Sequence, residues 1–510
     1  MMINKRILQL MLFCLGLPCM VNAQDKPAAA YAEQYRPQLH FSPAQHWMND
    51  PNGMVYFNHT YHLFFQYYPK DIVWGPMHWG HAVSKDLIHW KQLPIALYPD
   101  SLGYIFSGSA VVDSGNTSGF GKNGKIPMVA IFTHHDPKRE AERHEDFENQ
   151  SIAFSLDSGA TWTKYANNPV LKNPGIRDFR DPKVMWYTAE KKWIMTLATQ
   201  DHISFYSAPD LKNWKKESEF GFKTGAHGGV WECPDLFSLK MAGKTYWILV
   251  VNLNPGGPNG GSATQYFVGD FDGSKFTPID SSTKWLDYGP DEYAGITWSN
   301  TGDRKIFLGW MSNWQYANQV PTQAWRNAAT IPRELRLKQS NQGIVLASAP
   351  VPELTKINRG VSVSKNVMVN KTLDLSTKVG KLKSQYVLKL SMAQLKAYTL
   401  KLSNKKGEEL LIGYDAIKNQ YFIDRTKSGK TDFQKDFSGR FMAPRLTAAK
   451  NSDITIVVDK SSVELFADGG LTTMTAVYFP DGDYTGLTLN ADSNIKVDSI
   501  VVTALKSIWQ

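Results

Sequence analysis

The sequence predicts an all-β fold, a five-bladed β-propeller followed by a C-terminal β-sandwich. Three observations carry this. From about Phe41 to Leu337, short apolar or alternating runs are separated by clusters of Gly, Pro, Asn and Asp, and long helical periodicity is absent. A weak repeat punctuates the same stretch. From about Val351 onward the texture changes: Thr, Ser, Lys and Val dominate, and Trp vanishes until Trp509.

The repeat is clearest in Ser84-Lys85-Asp86-Leu87-Ile88-His89-Trp90 and Ser207-Ala208-Pro209-Asp210-Leu211-Lys212-Asn213-Trp214. Ser155 to Trp162 is a variant, and Asp270 to Phe276 a more degenerate one. Each copy follows a strand and sets an aromatic a few residues after an acidic turn. The spacing, roughly 50–70 residues, suits four strands with generous loops. Strand groups fall near 50–95, 105–165, 179–218, 231–280 and 293–337, one per blade. In a propeller the innermost strands line a central channel. Motifs at equivalent positions in successive blades therefore converge on one pocket. Beyond the link Ser348-Ala349-Pro350-Val351-Pro352, regular strands such as Ile454–Asp459, Ser462–Ala467 and Thr475–Phe479 suggest the sandwich.

The N-terminus reads as a targeting signal. Lys5 and Arg6 precede an apolar run, Ile7 to Leu17, and then Val21-Asn22-Ala23. The run is too short to span a bilayer, so an exported protein without a transmembrane segment is expected, periplasmic, extracellular or surface-held. The expected organisation is a signal peptide over 1–23, a polar, partly disordered linker over 24–36, the propeller over 37–345 and the sandwich over 353–510. A lipid anchor at Cys19 fits poorly, because Pro18 precedes it. Of three cysteines, Cys14 and Cys19 lie in the signal, so Cys233 has no partner for a disulfide in the mature chain.

Composition narrows the chemistry. The net charge is +9, but basic residues are scattered, and no basic stripe argues for nucleic acid. There are 16 Trp and 22 Tyr, whose flat faces and polar edges suit sugars but also fill β cores. No glycine-rich phosphate loop and no Gly-x-Ser-x-Gly elbow is present. His78 and His81 lack the spacing of a metal site, and His134-His135-Asp136 reads as a loop; no metal is expected.

The sharpest polar motifs open each strand group. They are Asn49-Asp50-Pro51-Asn52, Phe106-Ser107-Gly108-Ser109, Arg180-Asp181-Pro182, Trp231-Glu232-Cys233-Pro234 and Asp291-Glu292-Tyr293. Glycoside hydrolysis needs one carboxyl to protonate the leaving oxygen and another to attack the anomeric carbon or activate water. Asp50, at what reads as a tight Asn-Asp-Pro-Asn-Gly turn, is suited to an anion. Glu232, between Trp231 and Cys233-Pro234, is in an apolar setting that suits a proton donor. Asp181 follows Arg180 and is expected to stay ionised, either to favour a cationic transition state or as half of a structural ion pair.

Trp47 to Gly53, Phe179-Arg180-Asp181-Pro182 and Trp231 to Asp235 resemble the three signature motifs of glycoside hydrolase family 32, which contains invertases, inulinases, levanases and fructosyltransferases. Gly309 to Trp314 and Val463 to Phe466 are also similar to that family. The resemblance implies a retaining mechanism with Asp50 as nucleophile, Glu232 as acid/base and Asp181 as transition-state stabiliser. It implies a terminal-fructose pocket built by Asn49, Gln66, Trp74, Phe106, Ser107, Arg180 and Trp314, and no cofactor. Glu292 departs from the Phe of many relatives, which puts the far wall of the pocket in question. The expected activity is removal of terminal fructose from fructans (levan or inulin), with sucrose a further substrate. An endo-acting levanase or inulinase is the alternative. A fructosyltransferase is less favoured, because no acceptor site is identifiable, and the intact acidic trio argues against a propeller that only binds.

Overall fold

The computed structural model describes residues 31–382 and 384–509; the signal sequence and Cys19 lie outside the described residues. Five sheets follow one another along the chain, and two six-stranded sheets complete it. The five are the blades. Their innermost strands, His46–Phe57, Tyr104–Val112, Phe179–Tyr187, Val230–Met241 and Tyr293–Thr297, touch in sequence order, and the fifth touches the first. The ring is fastened by a late segment, Trp325–Arg326, which pairs in parallel with His46 and Trp47. The last strand of the fifth blade, Gly343–Pro350, runs past the expected end at 345.

Apolar side chains fill the wedges between blades. Ile194 and Phe205 of the third blade pack with Trp231, Leu249 and Phe267 of the fourth, and Val111 and Ile131 of the second with Val184 and Leu197 of the third. Successive residues of a strand face opposite wedges: Leu249 lies in the wedge with the third blade, whereas Ile248 and Val250 pack with Phe307 and Leu335 of the fifth.

The sequence repeat marks one connection, from the third strand to the fourth, in four blades. In each copy an Asp carboxylate accepts backbone N–H groups just beyond it: Asp86 from Ile88 and His89, Asp157 from Thr161, Asp210 from Lys212 and Asn213, and Asp272 from Ser274 and Lys275. Where Trp follows, its indole N–H caps a carbonyl of the same turn, at Leu87, Gly159 and Leu211. Asp closes a turn that the strands alone would leave with unpaired amides.

Residues expected to form a linker instead pack where they are described. Tyr31 stacks on Trp509 with ring centroids 3.8 Å apart. Arg36 is buried, pairs with Glu33 and donates to Ser42 and the Pro43 carbonyl. A buried guanidinium satisfied on all sides anchors this segment.

The C-terminal sheets sandwich a core that includes Leu388, Leu390, Leu400, Ile412, Ile456 and Leu489. The sandwich is bolted to the propeller by buried charges. Arg333 donates to Asp287 at 2.9 Å and, with its Nε, to Glu464 at 2.9 Å. His40 lies 2.7 Å from both Asp459 and Glu464; burial opposes its charge, but the two carboxylates raise it to about 9. Arg425 pairs with Asp291 at 2.6 Å, and both side chains are fully buried.

Candidate active site

The innermost strand of every blade breaks register near its start. The breaks fall between Met48 and Pro51, Ile105 and Gly108, Arg180 and Lys183, Glu232 and Asp235, and Tyr293 and Ile296. A bulge of this kind leaves residues outside the ladder and re-aims side chains. Asp181, Cys233 and Ala294 sit at these breaks with φ of 63°, 43° and 52°. Pro182 and Pro234 lie inside the third and fourth breaks, where a missing N–H costs no ladder bond, and Pro51 closes the first. The Asn49-to-Gly53 segment is therefore not a turn but a bulged stretch inside His46–Phe57. Pro and Gly, read as turn signals, serve here as ladder breaks.

All ten residues singled out from sequence line one cavity of about 290 Å³: Asn49, Asp50, Gln66, Trp74, Phe106, Ser107, Arg180, Asp181, Glu232 and Trp314. Trp74 is exposed at its mouth and meets Phe106 edge-on. Trp314 rests against Trp47 and Trp310. Gln66 is buried, and its Nε2 has no partner among the described residues, so a donor is available to a ligand.

Asp50 is gripped from several sides. Trp47 Nε1 donates to Asn49 Oδ1 at 2.7 Å, and Asn49 Nδ2 donates to Asp50 Oδ1 at 2.9 Å. Ser107 Oγ donates to Asp50 Oδ2 at 2.7 Å, and the Cys233 thiol lies 3.6 Å from the same oxygen. Donors aimed at both oxygens fix the orientation of the carboxyl group.

Glu232 is held by Arg180 Nη2 at 3.0 Å on Oε1 and by the Tyr293 hydroxyl on Oε2. Burial and the Asp50 charge raise its pKa, against Arg180 and Tyr293. The apolar setting expected from its chain neighbours is not its actual surroundings, because Trp231 points from the strand into the inter-blade core.

Asp181 does not form an ion pair with Arg180, although the two are neighbours in the chain. The Arg180 side chain turns away, to Glu232, Glu148 and Asp178. Asp181 Oδ2 instead accepts from the Cys233 amide at 2.9 Å. Burial first, then the charges of Glu232 and Asp50, push Asp181 up to about 8, although Arg180 opposes this. Like charges packed together disfavour full ionisation of the cluster.

Glu292 does not reach the cavity. It is buried behind the fifth blade, against Gly295 and Gly309, so the pocket wall is untouched by this departure. Trp314 supplies the fifth blade's lining, and Tyr293, next to Glu292 in the chain, sends its hydroxyl to Glu232. His134 and His135 are strand residues of Met128–His135, not a loop, and Asp136 caps the short helix Pro137–Ala141. His135, Glu140, Glu148 and Asp178 also line the cavity, unforeseen from sequence. Of these only His135 stood out in the sequence; Glu148 lies on a third strand, where no motif marks it. Among the described residues no cluster of His, Cys, Asp and Glu suits a metal ion, and no helix is long and apolar enough to cross a membrane.

A propeller channel ending in a small cavity with three clustered carboxyls, a guanidinium and indole walls defines a carbohydrate-cleaving class of protein. The chain belongs to glycosyl hydrolases family 32: the family's N-terminal domain matches residues 40–350 and its C-terminal domain residues 353–504. It is thus a glycoside hydrolase. It is 46% identical to a levanase from Bacillus subtilis (strain 168) over 521 residues, covering 99% of this chain and 76% of the relative. It is 41% identical to an extracellular exo-inulinase from Aspergillus ficuum, covering 94% of this chain and 96% of that protein. The crystal structure of an exo-inulinase from Aspergillus awamori superposes with a TM-score of 0.84 at 38% identity, covering 94% of this chain and 100% of that one. A β-fructofuranosidase from Schwanniomyces occidentalis, complexed with fructosyl-erythritol, gives 0.85 at 32% identity with the same coverage.

Proposed function

We propose that this chain is an exported, retaining β-fructosidase that hydrolyses β-D-fructofuranosyl linkages in fructans such as levan and inulin, releasing terminal fructose, with sucrose a further substrate. The observation that carries this reading is the pairing of a carboxylate gripped by donors, Asp50, with a carboxyl whose pKa is raised, Glu232, in one cavity. The printed names of the relatives, levanase and exo-inulinase, support the substrate class. The naming of one relative as extracellular supports export.

In this reading an Asp50 oxygen attacks the anomeric carbon as the glycosidic bond breaks. Glu232 gives its proton to the departing oxygen, leaving a fructosyl ester on Asp50. Glu232, now a carboxylate, then takes a proton from water, whose oxygen attacks the same carbon and frees Asp50. Asp181 accepts hydrogen bonds from ring hydroxyls. Those donors favour its anion, so substrate binding shifts the shared proton from Asp181 toward Glu232, where the first step needs it. Trp74 and Trp314 supply apolar faces for the sugar, and Gln66 and Arg180 polar contacts.

Chromatography of products from levan, inulin and sucrose tests the reading. Fructose alone from the polymers is expected. Early oligomers would instead establish the endo-acting alternative, and no reducing sugar from any of the three would overturn the hydrolase reading of the site in favour of binding alone.

A further inference from the structure

The acid/base proposed above shares its cation with a carboxylate that the reaction does not use. Arg180 Nη2 lies 3.0 Å from Glu232 Oε1, while Nη1 lies 3.3 Å from Glu148 Oε1 and 2.6 Å from Asp178 Oδ1. The Glu148 side chain is only 1% exposed. It opens the third strand of the second blade, in register with His135. His135 Nδ1 lies 3.2 Å from Glu148, its Nε2 lies 3.1 Å from Glu140, and its ring stacks on Phe106 at 4.2 Å. Glu148 is thus clamped, and so is the half of the guanidinium that it holds. Burial pushes the Glu148 carboxyl up, but Arg180 and His135 more than offset this and hold it below its ordinary value.

We propose that Glu148 is a positioning residue for the acid/base: acting through Arg180, it holds the Nη1 side of the guanidinium to itself, limits the positive charge Glu232 feels, and so sets the upper pH at which Glu232 keeps its proton. This rests on reading Glu232 as the acid/base. The other charged or titratable groups around the pair are Asp50 from the first blade, His135 and Glu140 from the second, Asp178 and Asp181 from the third, Cys233 from the fourth and Tyr293 from the fifth. Arg177 reaches Glu140 at 3.5 Å. All of these remain when Glu148 alone is neutralised.

Neutralising Glu148 leaves Arg180 with one carboxylate fewer and removes a like charge from the neighbourhood of Glu232. Both changes favour the Glu232 anion, so the protonated acid is lost at lower pH.

The experiment is the pH dependence of kcat/KM on an aryl β-fructofuranoside for the unaltered enzyme, Glu148→Gln, Asp178→Asn and Glu232→Gln. Glutamine keeps the shape and can still accept from Arg180. The basic limb is expected to move down by roughly half a pH unit or more in Glu148→Gln. In Asp178→Asn it moves the same way by less, because water already screens that half-buried group. A folded Glu148→Gln protein with its basic limb in place, or moved upward, overturns the proposal, even if its melting temperature falls. Should Glu148→Gln fail to fold, an unmoved or raised limb in Asp178→Asn overturns it. Glu232→Gln separates the two readings. If the basic limb survives in that variant, Glu232 is not the acid/base; if it disappears there yet stands unmoved in Glu148→Gln, only the role of Glu148 has failed.

Discussion

Arg180 and Asp181 are adjacent in the chain, yet their side chains part company: Arg180 Nη2 lies 3.0 Å from Glu232 Oε1, while Asp181 Oδ2 takes the Cys233 amide at 2.9 Å. Successive residues of a strand point to opposite sides, and the bulge at Asp181 adds a further turn. The cation therefore serves the Glu232 side of the cluster, and Asp181 is left buried among like charges. The consequences differ from those of a simple Arg–Asp pair.

Asp50→Ala and Glu232→Ala are each expected to lose roughly 10³-fold or more in kcat/KM on sucrose or inulin, because each proposed role carries several kcal/mol of the barrier. Both proteins should stay folded, since neither side chain joins an inter-blade core. Circular dichroism and steady-state kinetics check this, and near-normal turnover in either would remove that residue from the mechanism.

The first fructose released is expected to keep its anomeric configuration. Attack by Asp50 and then by water inverts the anomeric carbon twice. Proton NMR of the earliest product reads the outcome directly, and initial release of the α-anomer would exclude Asp50 as nucleophile.

Asp181→Asn should lower kcat far more than it alters KM. An anion gripping ring hydroxyls is worth most when positive charge builds on the sugar. The variant also loses a carboxyl raised to about 8. A group raised in the folded state binds more protons there than in the unfolded chain, so its contribution to stability is lost as pH rises through its folded pKa. The variant should therefore show a shallower decline in melting temperature between about pH 4 and pH 8. Unchanged kcat would assign Asp181 to the scaffold.

Tyr293→Phe tests the opposite sign from the Glu148 substitution. The Tyr293 hydroxyl donates to Glu232 and thereby favours its anion. Without it the protonated acid persists to higher pH, and the basic limb of kcat/KM should rise by up to about one unit. A limb that falls or stays fixed would show that Tyr293 does not control this proton.

Glu292→Gln addresses a buried carboxyl outside the pocket lining. Among the described residues neither carboxylate oxygen has a partner, and the nearby Thr264 hydroxyl already donates to Asn252. Burial and the charges of Asp287 and Glu464 raise Glu292 to about 8, with Arg333 opposing. The folded state again binds the extra proton, so stability falls between about pH 4 and pH 8. Glutamine should flatten that fall while leaving kcat unchanged. Melting curves at pH 5 and pH 8 suffice, and parallel declines in the two proteins would place the pH sensitivity elsewhere, for instance at His40.

Much of this was legible in the chain itself. Alternation and turn chemistry are local, so the all-β class, the blade repeat and the change of texture near Val351 follow from neighbours in sequence. The acid motifs could be found because Pro, Gly and Asn mark the bulges that aim Asp50, Asp181 and Glu232. The same local signals misled where a bulge imitates a turn, at Asn49 to Gly53, and where strand histidines imitate a loop, at His134 and His135. Tertiary structure alone decided which charge meets which. Arg180 reaches Glu148, 32 positions away, and Glu232, 52 positions away, in preference to its neighbour. Glu292 was sent behind its blade, and Tyr293 toward the acid. Electrostatic energies depend on distance and burial in space, and a side chain's direction depends on register, which is settled only when five blades close on one another.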